Sequence, residues 1–335
     1  MKICKGLIIL LLACTGLIPG VVVAANNDST VDNSKKTAQE YLARGIESAK
    51  TGQIDQARAA FADATRLLPE LAPVAWGNLA MALGRQGQWR EAIDELKKIV
   101  ALQPADLMTH FNLANAYLSA GERDEAIDQY RTMIELDPKL AWSHFNLAAL
   151  YLQKEDIGGA IEEFEKAAEL NSSMAAIYEK LGPLYDQVGQ TDKAIAAYEK
   201  AIKLVPGNGV TQYNLGVVYM KNGDAEMAEK AYRKAVDLIP TYAEAYNNLG
   251  TISLARQDFK GAILLFRKAV ESKPDLEQGL INLSVTYRDI KEYESAMLYA
   301  KKAKDIGSKR AEFLIGSIEK QQAEEKGAAE VPLVQ

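Results

Sequence analysis

Apolar residues recur along this chain at i, i+3, i+4 and i+7, in blocks that come in pairs. In one stretch Trp76, Leu79, Ala80 and Leu83 make the first block, and Trp89, Ala92, Ile93, Leu96, Ile99 and Val100 the second. Spacings of three and four lay side chains along one face of a helix, so each block predicts an amphipathic α-helix with a polar back. A glycine separates most pairs of blocks, at Gly52, Gly87, Gly121, Gly189 and Gly223. Glycine readily takes the left-handed conformation that closes a helix. After the second block a proline follows, at Pro69, Pro104, Pro138, Pro206, Pro240 and Pro274, where it cannot extend the helical ladder. The pattern predicts helix, tight turn, helix, stop.

The pairs repeat with a fixed period. Ala57, Ala92, Ala126, Ala160, Ala194, Ala228, Ala262 and Ala296 stand 35 and then six times 34 residues apart, and Leu79, Leu113, Leu147, Leu181, Leu215, Leu249 and Leu283 keep the step of 34. A constant period of this length marks an array whose units bury their apolar faces against one another. The recurring alanine fits a close helix crossing, where nothing larger than a methyl is accommodated. These residues resemble the tetratricopeptide repeat, whose pattern W-x2-L-G-x2-Y, A-x3-F, P is met by Tyr246-x2-Leu249-Gly250, Ala262-x3-Phe266 and Pro274. The resemblance implies an all-α fold: a right-handed superhelical solenoid of about eight helix-turn-helix repeats over residues 38–308 and a C-terminal capping helix over 309–327. The repeats start at Ala38, Pro73, Leu107, Ala141, Ala175, Gly209, Ala243 and Glu277. The chain departs from the family pattern where Ser172 and Ser308 replace the proline, where Glu155, Gln257 and Lys291 replace the glycine, and where Ala300 replaces an aromatic residue.

The resemblance, not the period, implies that the first helices of the repeats line a concave face on which partner peptides lie. Carried over position by position, it places Met81, Met108, Phe111, Leu118, Trp142, Phe145, Leu152, Tyr213, Met220, Ile281 and Val285 there. Large apolar side chains on an open face argue for a buried partner; packing between repeats is their alternative use. Bordering the same face, Asn78, Asn112, Asn146, Asn214, Asn248 and Asn282 recur at one position, interrupted by Lys180. The row is similar to the one in the repeats of O-linked N-acetylglucosamine transferase. An amide donates and accepts as a peptide unit does, so a row of them can clamp an extended backbone, or each can bond within its own repeat. Family members that grip a C-terminal carboxylate do so with basic residues; here those positions hold Phe111, Phe145 and Tyr213. Pro183, inside a first helix, predicts a kink.

Ahead of the array, residues 6–25 carry no charge, and Lys2 and Lys5 precede or border them. The segment 1–25 reads as a secretory signal cleaved after Ala24 or Ala25. A retained anchor is the second reading, and a lipidated Cys14 in Leu11-Leu12-Ala13-Cys14 the third. Residues 26–37 then form a polar linker and 328–335 a tail. The cysteines, Cys4 and Cys14, both lie in the leader, so no disulfide framework is expected. Thirty-nine basic against 45 acidic residues give a net charge of −6, which speaks against nucleic acid as a partner.

Little points to catalysis. The two histidines, His110 and His144, sit one period apart in near-identical strings; two are too few for a closed zinc site, and packing is the expected role. No phosphate loop, metal-binding helix or nucleophile elbow is found. The expectation is a non-enzymatic scaffold, without cofactor or metal, that holds a protein or peptide segment in the envelope of a bacterial cell. It would touch membrane only through its N-terminal segment. A self-associating solenoid and an accessory subunit presenting substrates to a separate transferase are the alternatives.

Overall fold

The computed structural model describes residues 29–329, and the chain there is built of seventeen α-helices and one short 3-10 turn, with no strand among the described residues. The helices group into two compact units, one ending at Asn171 and the other beginning at Ser172. The first unit holds α1 (Ser29–Lys50), α2 (Ile54–Leu67), the 3-10 turn Pro69–Leu71, α3 (Ala72–Arg85), α4 (Trp89–Leu102), α5 (Leu107–Ala120), α6 (Arg123–Leu136), α7 (Ala141–Gln153) and α8 (Ile157–Leu170). The second holds α9 (Ala175–Gln187), α10 (Thr191–Leu204), α11 (Gly209–Lys221), α12 (Ala225–Leu238), α13 (Ala243–Ala255), α14 (Phe259–Ser272), α15 (Glu277–Asp289), α16 (Tyr293–Asp305) and α17 (Lys309–Ala329). Within each unit a first helix pairs with the second helix that follows it, and each pair stacks on the next.

Two local devices set this rhythm. At Gly52, Gly87, Gly121, Gly189 and Gly223 the backbone is left-handed, with φ between 76° and 85°. In the Gly87 turn the Gln88 N–H donates back to the Leu83 carbonyl at 3.0 Å, which satisfies a carbonyl at the helix end. Where Glu155, Gln257 and Lys291 stand instead of glycine the turn is kept, at φ 61°, 62° and 67°. At the helix starts, Asp106, Asp156, Asn208, Asp224 and Asp258 accept backbone N–H groups of the first turn, satisfying donors that have no partner inside the helix.

The recurring alanines and leucines are buried, and beside them the helices of four pairs meet glycine against ring. Gly45 faces Phe61, Gly182 faces Tyr198, Gly216 faces Tyr232 and Gly250 faces Phe266; a Cβ added at any of these glycines would stand 2.5–2.6 Å from the ring. The equivalent positions are Ala80 and Leu96 in α3 and α4, Ala114 and Tyr130 in α5 and α6, Ala148 and Phe164 in α7 and α8, and Ser284 and Ala300 in α15 and α16. In the last pair the Ser284 hydroxyl donates to the Ala296 carbonyl at 2.8 Å.

Two sequence expectations are corrected. The stretch 26–37, expected as a linker, is helical from Ser29 onward, since it contains no proline or glycine to stop α1 from extending beyond Ala38. Helix α17 runs to Ala329, slightly past the expected end at 327. Helix α9 continues through Pro183 as far as Gln187. The leader 1–25, with both cysteines, and the tail from residue 330 lie outside the described residues.

Candidate functional site

The first helices of the first unit carry an open apolar stripe. Met81 of α3 is 49% exposed and Met108 of α5 47%. Beside Met108, Phe111 sets its ring edge-on against Trp142 of α7, with centroids 5.1 Å apart at 88°. Both rings are half-buried, so the pair joins α5 to α7 and leaves part of its surface open. Asn112 is exposed and Asn146 half-buried, and neither amide has a hydrogen-bond partner among the described residues. Asn115, one turn along α5 and equally unpartnered, was not singled out from the sequence; its place on the same helical face was the signal available.

Not every expected contact residue is free. Phe145 is only 8% exposed, its ring edge-on to Phe164 of α8 at 5.3 Å. It is a packing residue, which corrects its reading as a partner contact. Ile281 is buried in the same way, in the core shared by α15, α16 and α17. Tyr213 of α11 lies between Tyr232 and Tyr242, at 5.6 and 4.7 Å. Burial raises its phenol pKa against the opposing effect of the Asn248 amide. Met220, at the far end of α11, remains partly exposed.

The asparagine row also divides. Asn78 donates to the Val74 carbonyl of its own helix at 2.8 Å. Asn248 accepts from Asn247 at 3.5 Å, and its amide opposes the rise that burial gives the phenols of Tyr213 and Tyr232. Asn282 donates to Asn247 at 2.9 Å and accepts from Gln278 at 2.7 Å. Asn112, Asn146 and Asn214 keep unpaired amides among the described residues, so the row is half structural and half available. Where an amide is paired, the partner is a polar side chain or a carbonyl one turn back.

Charge is distributed unevenly. Helices α5 and α7 contain no Asp, Glu, Lys or Arg, although 25% of the chain is charged. The first helices of the second unit carry Glu179, Lys180, Asp186, Lys221, Glu244, Glu277, Arg288 and Asp289. Several of these are tied up: Lys221 pairs with Asp186, Lys273 with Glu244 at 2.9 Å, and Asn208 donates to Glu179 at 2.7 Å. Hollows on this unit are lined by charged residues such as Glu226, Glu229, Arg233 and Arg256. The Arg233 hydrogen bond, helped by Arg256, holds the Glu229 carboxyl below its ordinary value.

The histidines are structural. His110 Nδ1 meets Gln129 at 2.8 Å and its Nε2 meets the Pro104 carbonyl at 2.9 Å. His144 repeats the arrangement with Glu163 at 2.6 Å and the Pro138 carbonyl at 3.3 Å. Each ring thereby ties a first helix to its second helix and to the preceding loop. Among the described residues no group of three or more His, Cys, Asp or Glu side chains could hold a metal, and no helix is long and apolar enough to cross a membrane.

Stacked helix pairs, with an open stripe on α5 and α7 that carries no charge, define a helical-repeat scaffold. Comparison with known families agrees: the tetratricopeptide repeat matches at residues 42–106, 143–174 and 209–275, and the TPR repeat at 114–155 and 184–223. The chain belongs to the tetratricopeptide repeat family. No curated protein matches it. Among solved structures it is similar to the MamA protein, with 27% identity over 52% of this chain and 96% of that one and a TM-score of 0.48. It is also similar to the C-terminal part of a TPR repeat-containing protein from Cytophaga hutchinsonii, with 18% identity, 70% and 98% coverage and a TM-score of 0.60. A third is YrrB, described as a TPR protein with an unusual peptide-binding site, with 22% identity, 55% and 95% coverage and a TM-score of 0.50. At these identities the likeness to the last two is one of fold.

Proposed function

We propose that this chain is a non-enzymatic, exported scaffold of the cell envelope that holds a segment of a partner protein on its first helices, in the service of assembly or secretion. One observation carries the reading: Met108 stands exposed beside the Phe111–Trp142 pair and the unpaired amides of Asn112 and Asn146. Apolar surface left open beside free donors and acceptors is the composition of a recognition site. Export rests on the uncharged run at residues 6–25.

The test is affinity capture from an envelope extract of the source cell, comparing the chain with a variant carrying Met108→Ala, Asn112→Ala and Asn146→Ala, after circular dichroism shows equal helicity. A protein retained by the first and lost by the second supports the proposal. Equal capture by both sinks the placement of the site on these helices. Self-association has its own observation, Phe313 of α17 at 85% exposure; sedimentation of the chain against Phe313→Ser decides it, with a concentration-dependent mass lost in the variant as the supporting result.

A further inference from the structure

The absence of charge on α5 and α7 narrows what the first unit can hold. We infer that this stripe is specific for an uncharged, extended segment of another protein with apolar side chains, and that it rejects charged segments and free carboxylate ends. The inference rests on the proposed reading of the first helices as the partner site and names the class of ligand.

Three features of the stripe act together. Met108, Leu118 and Trp142 offer apolar area that gains only from being covered by apolar atoms. Asn112, Asn115 and Asn146 each present a donor and an acceptor without a partner of their own, and an extended backbone presents free N–H and carbonyl groups that need both. A charged side chain set down on α5 or α7 would give up its hydration and meet no opposite charge on either helix. The one basic group of α3, Arg85, donates to the Met81 sulfur at 3.4 Å. The chain's charges are not scarce nearby: Arg58 bridges Glu91 and Glu95, and Lys166 bridges Glu162 and Glu163, all on second helices. The uncharged character therefore belongs to the stripe and not to the unit. Neighbouring helices stand about 8–10 Å apart and an extended chain rises about 3.3 Å per residue, so the segment crossing α3, α5 and α7 is roughly nine residues long.

The test uses three fluorescent nonapeptides, acetylated and amidated at their ends: one alternating serine with leucine, one with two serines replaced by lysine, one with two replaced by aspartate. Each is titrated by anisotropy with the full chain and with the chain lacking residues 1–25. The uncharged peptide is expected to bind at least tenfold more tightly than either charged one. Met108→Glu and Asn112→Asp should each weaken it at least tenfold, and Thr251→Glu on α13 should change it less than twofold, all variants being equally helical by circular dichroism. A charged peptide binding as well as the uncharged one overturns the inference, and so does the absence of binding by all three. Binding seen only after removal of residues 1–25 overturns it too, by making the chain's own leader the occupant. In each of these cases the envelope capture is unaffected, so a wrong ligand class is told apart from a wrong function.

Discussion

Replacing Gln257 with glycine should make the protein more stable, although it deletes a side chain and loosens the unfolded chain. Gln257 sits in the α13–α14 turn at φ 62°, where a residue with a Cβ is held at a penalty of about 1–2 kcal/mol. Its side chain is exposed and makes no hydrogen bond among the described residues, so nothing is lost with it. Glycine's extra freedom when unfolded takes back about 0.4–1 kcal/mol, which leaves a net gain of about 0.5–1 kcal/mol. The mirror experiment is Gly223→Ala in the α11–α12 turn. There φ is 83°, and an added Cβ would have nothing within 4 Å, so any loss is conformational and not steric; about 1 kcal/mol is expected. Urea unfolding followed by far-ultraviolet circular dichroism should move the midpoint upward for the first variant and downward for the second, with unchanged slopes. A lower midpoint for Gln257→Gly, or no change for Gly223→Ala, would refute the reasoning.

Three further outcomes follow from the packing and the charges. Gly250→Ala should destabilise by about 1–2 kcal/mol through overpacking against Phe266, more than the helix propensity it gains. Adding Phe266→Leu, which recreates the Ala80–Leu96 pair, should give back part of that loss in a urea double-mutant cycle. Phe145→Ala should lower stability by about 3 kcal/mol, read from the urea midpoint, with partner capture failing only to the extent that the fold does. Glu229 has its carboxyl held below the ordinary value of 4.5 by Arg233 and Arg256, so its contribution is present above pH 4.5 and is lost as pH falls through the lower folded value. Glu229→Gln should therefore be about 1 kcal/mol less stable at pH 7 and indistinguishable from the parent in strong acid, measured by urea unfolding across that range.

The fold was legible because each repeat writes the same physical instruction into the sequence: small residues at the crossing, apolar spacing of three and four, glycine at the turn. The left-handed turn survives at Glu155, Gln257 and Lys291 where the glycine does not. The site was legible only in part. Helix spacing placed Phe145 and Phe111 at equivalent positions, yet one ring is buried against Phe164 and the other half-open against Trp142. That difference depends on what the next helix presents, a three-dimensional fact that spacing alone does not carry. The asparagine row divides for the same reason, since Asn248 and Asn112 share a register position and Asn248 has a second asparagine, Asn247, beside it. At the start of the array, composition misled: a polar stretch looked like a tether, and polarity without a helix breaker proved compatible with α1.

The paired volumes along the array also limit how such a gene can be rearranged. A repeat of 34 residues invites unequal crossing-over, and a junction in the loop between two repeats would delete or duplicate a whole unit while leaving each crossing residue with its own partner. A junction inside a repeat would set Ser284 against Phe266, or Gly250 against Leu96, producing a collision in one case and a void in the other. The array can therefore change length by recombination more readily than it can shuffle half-repeats, and its history should be recorded in breakpoints that respect the loops.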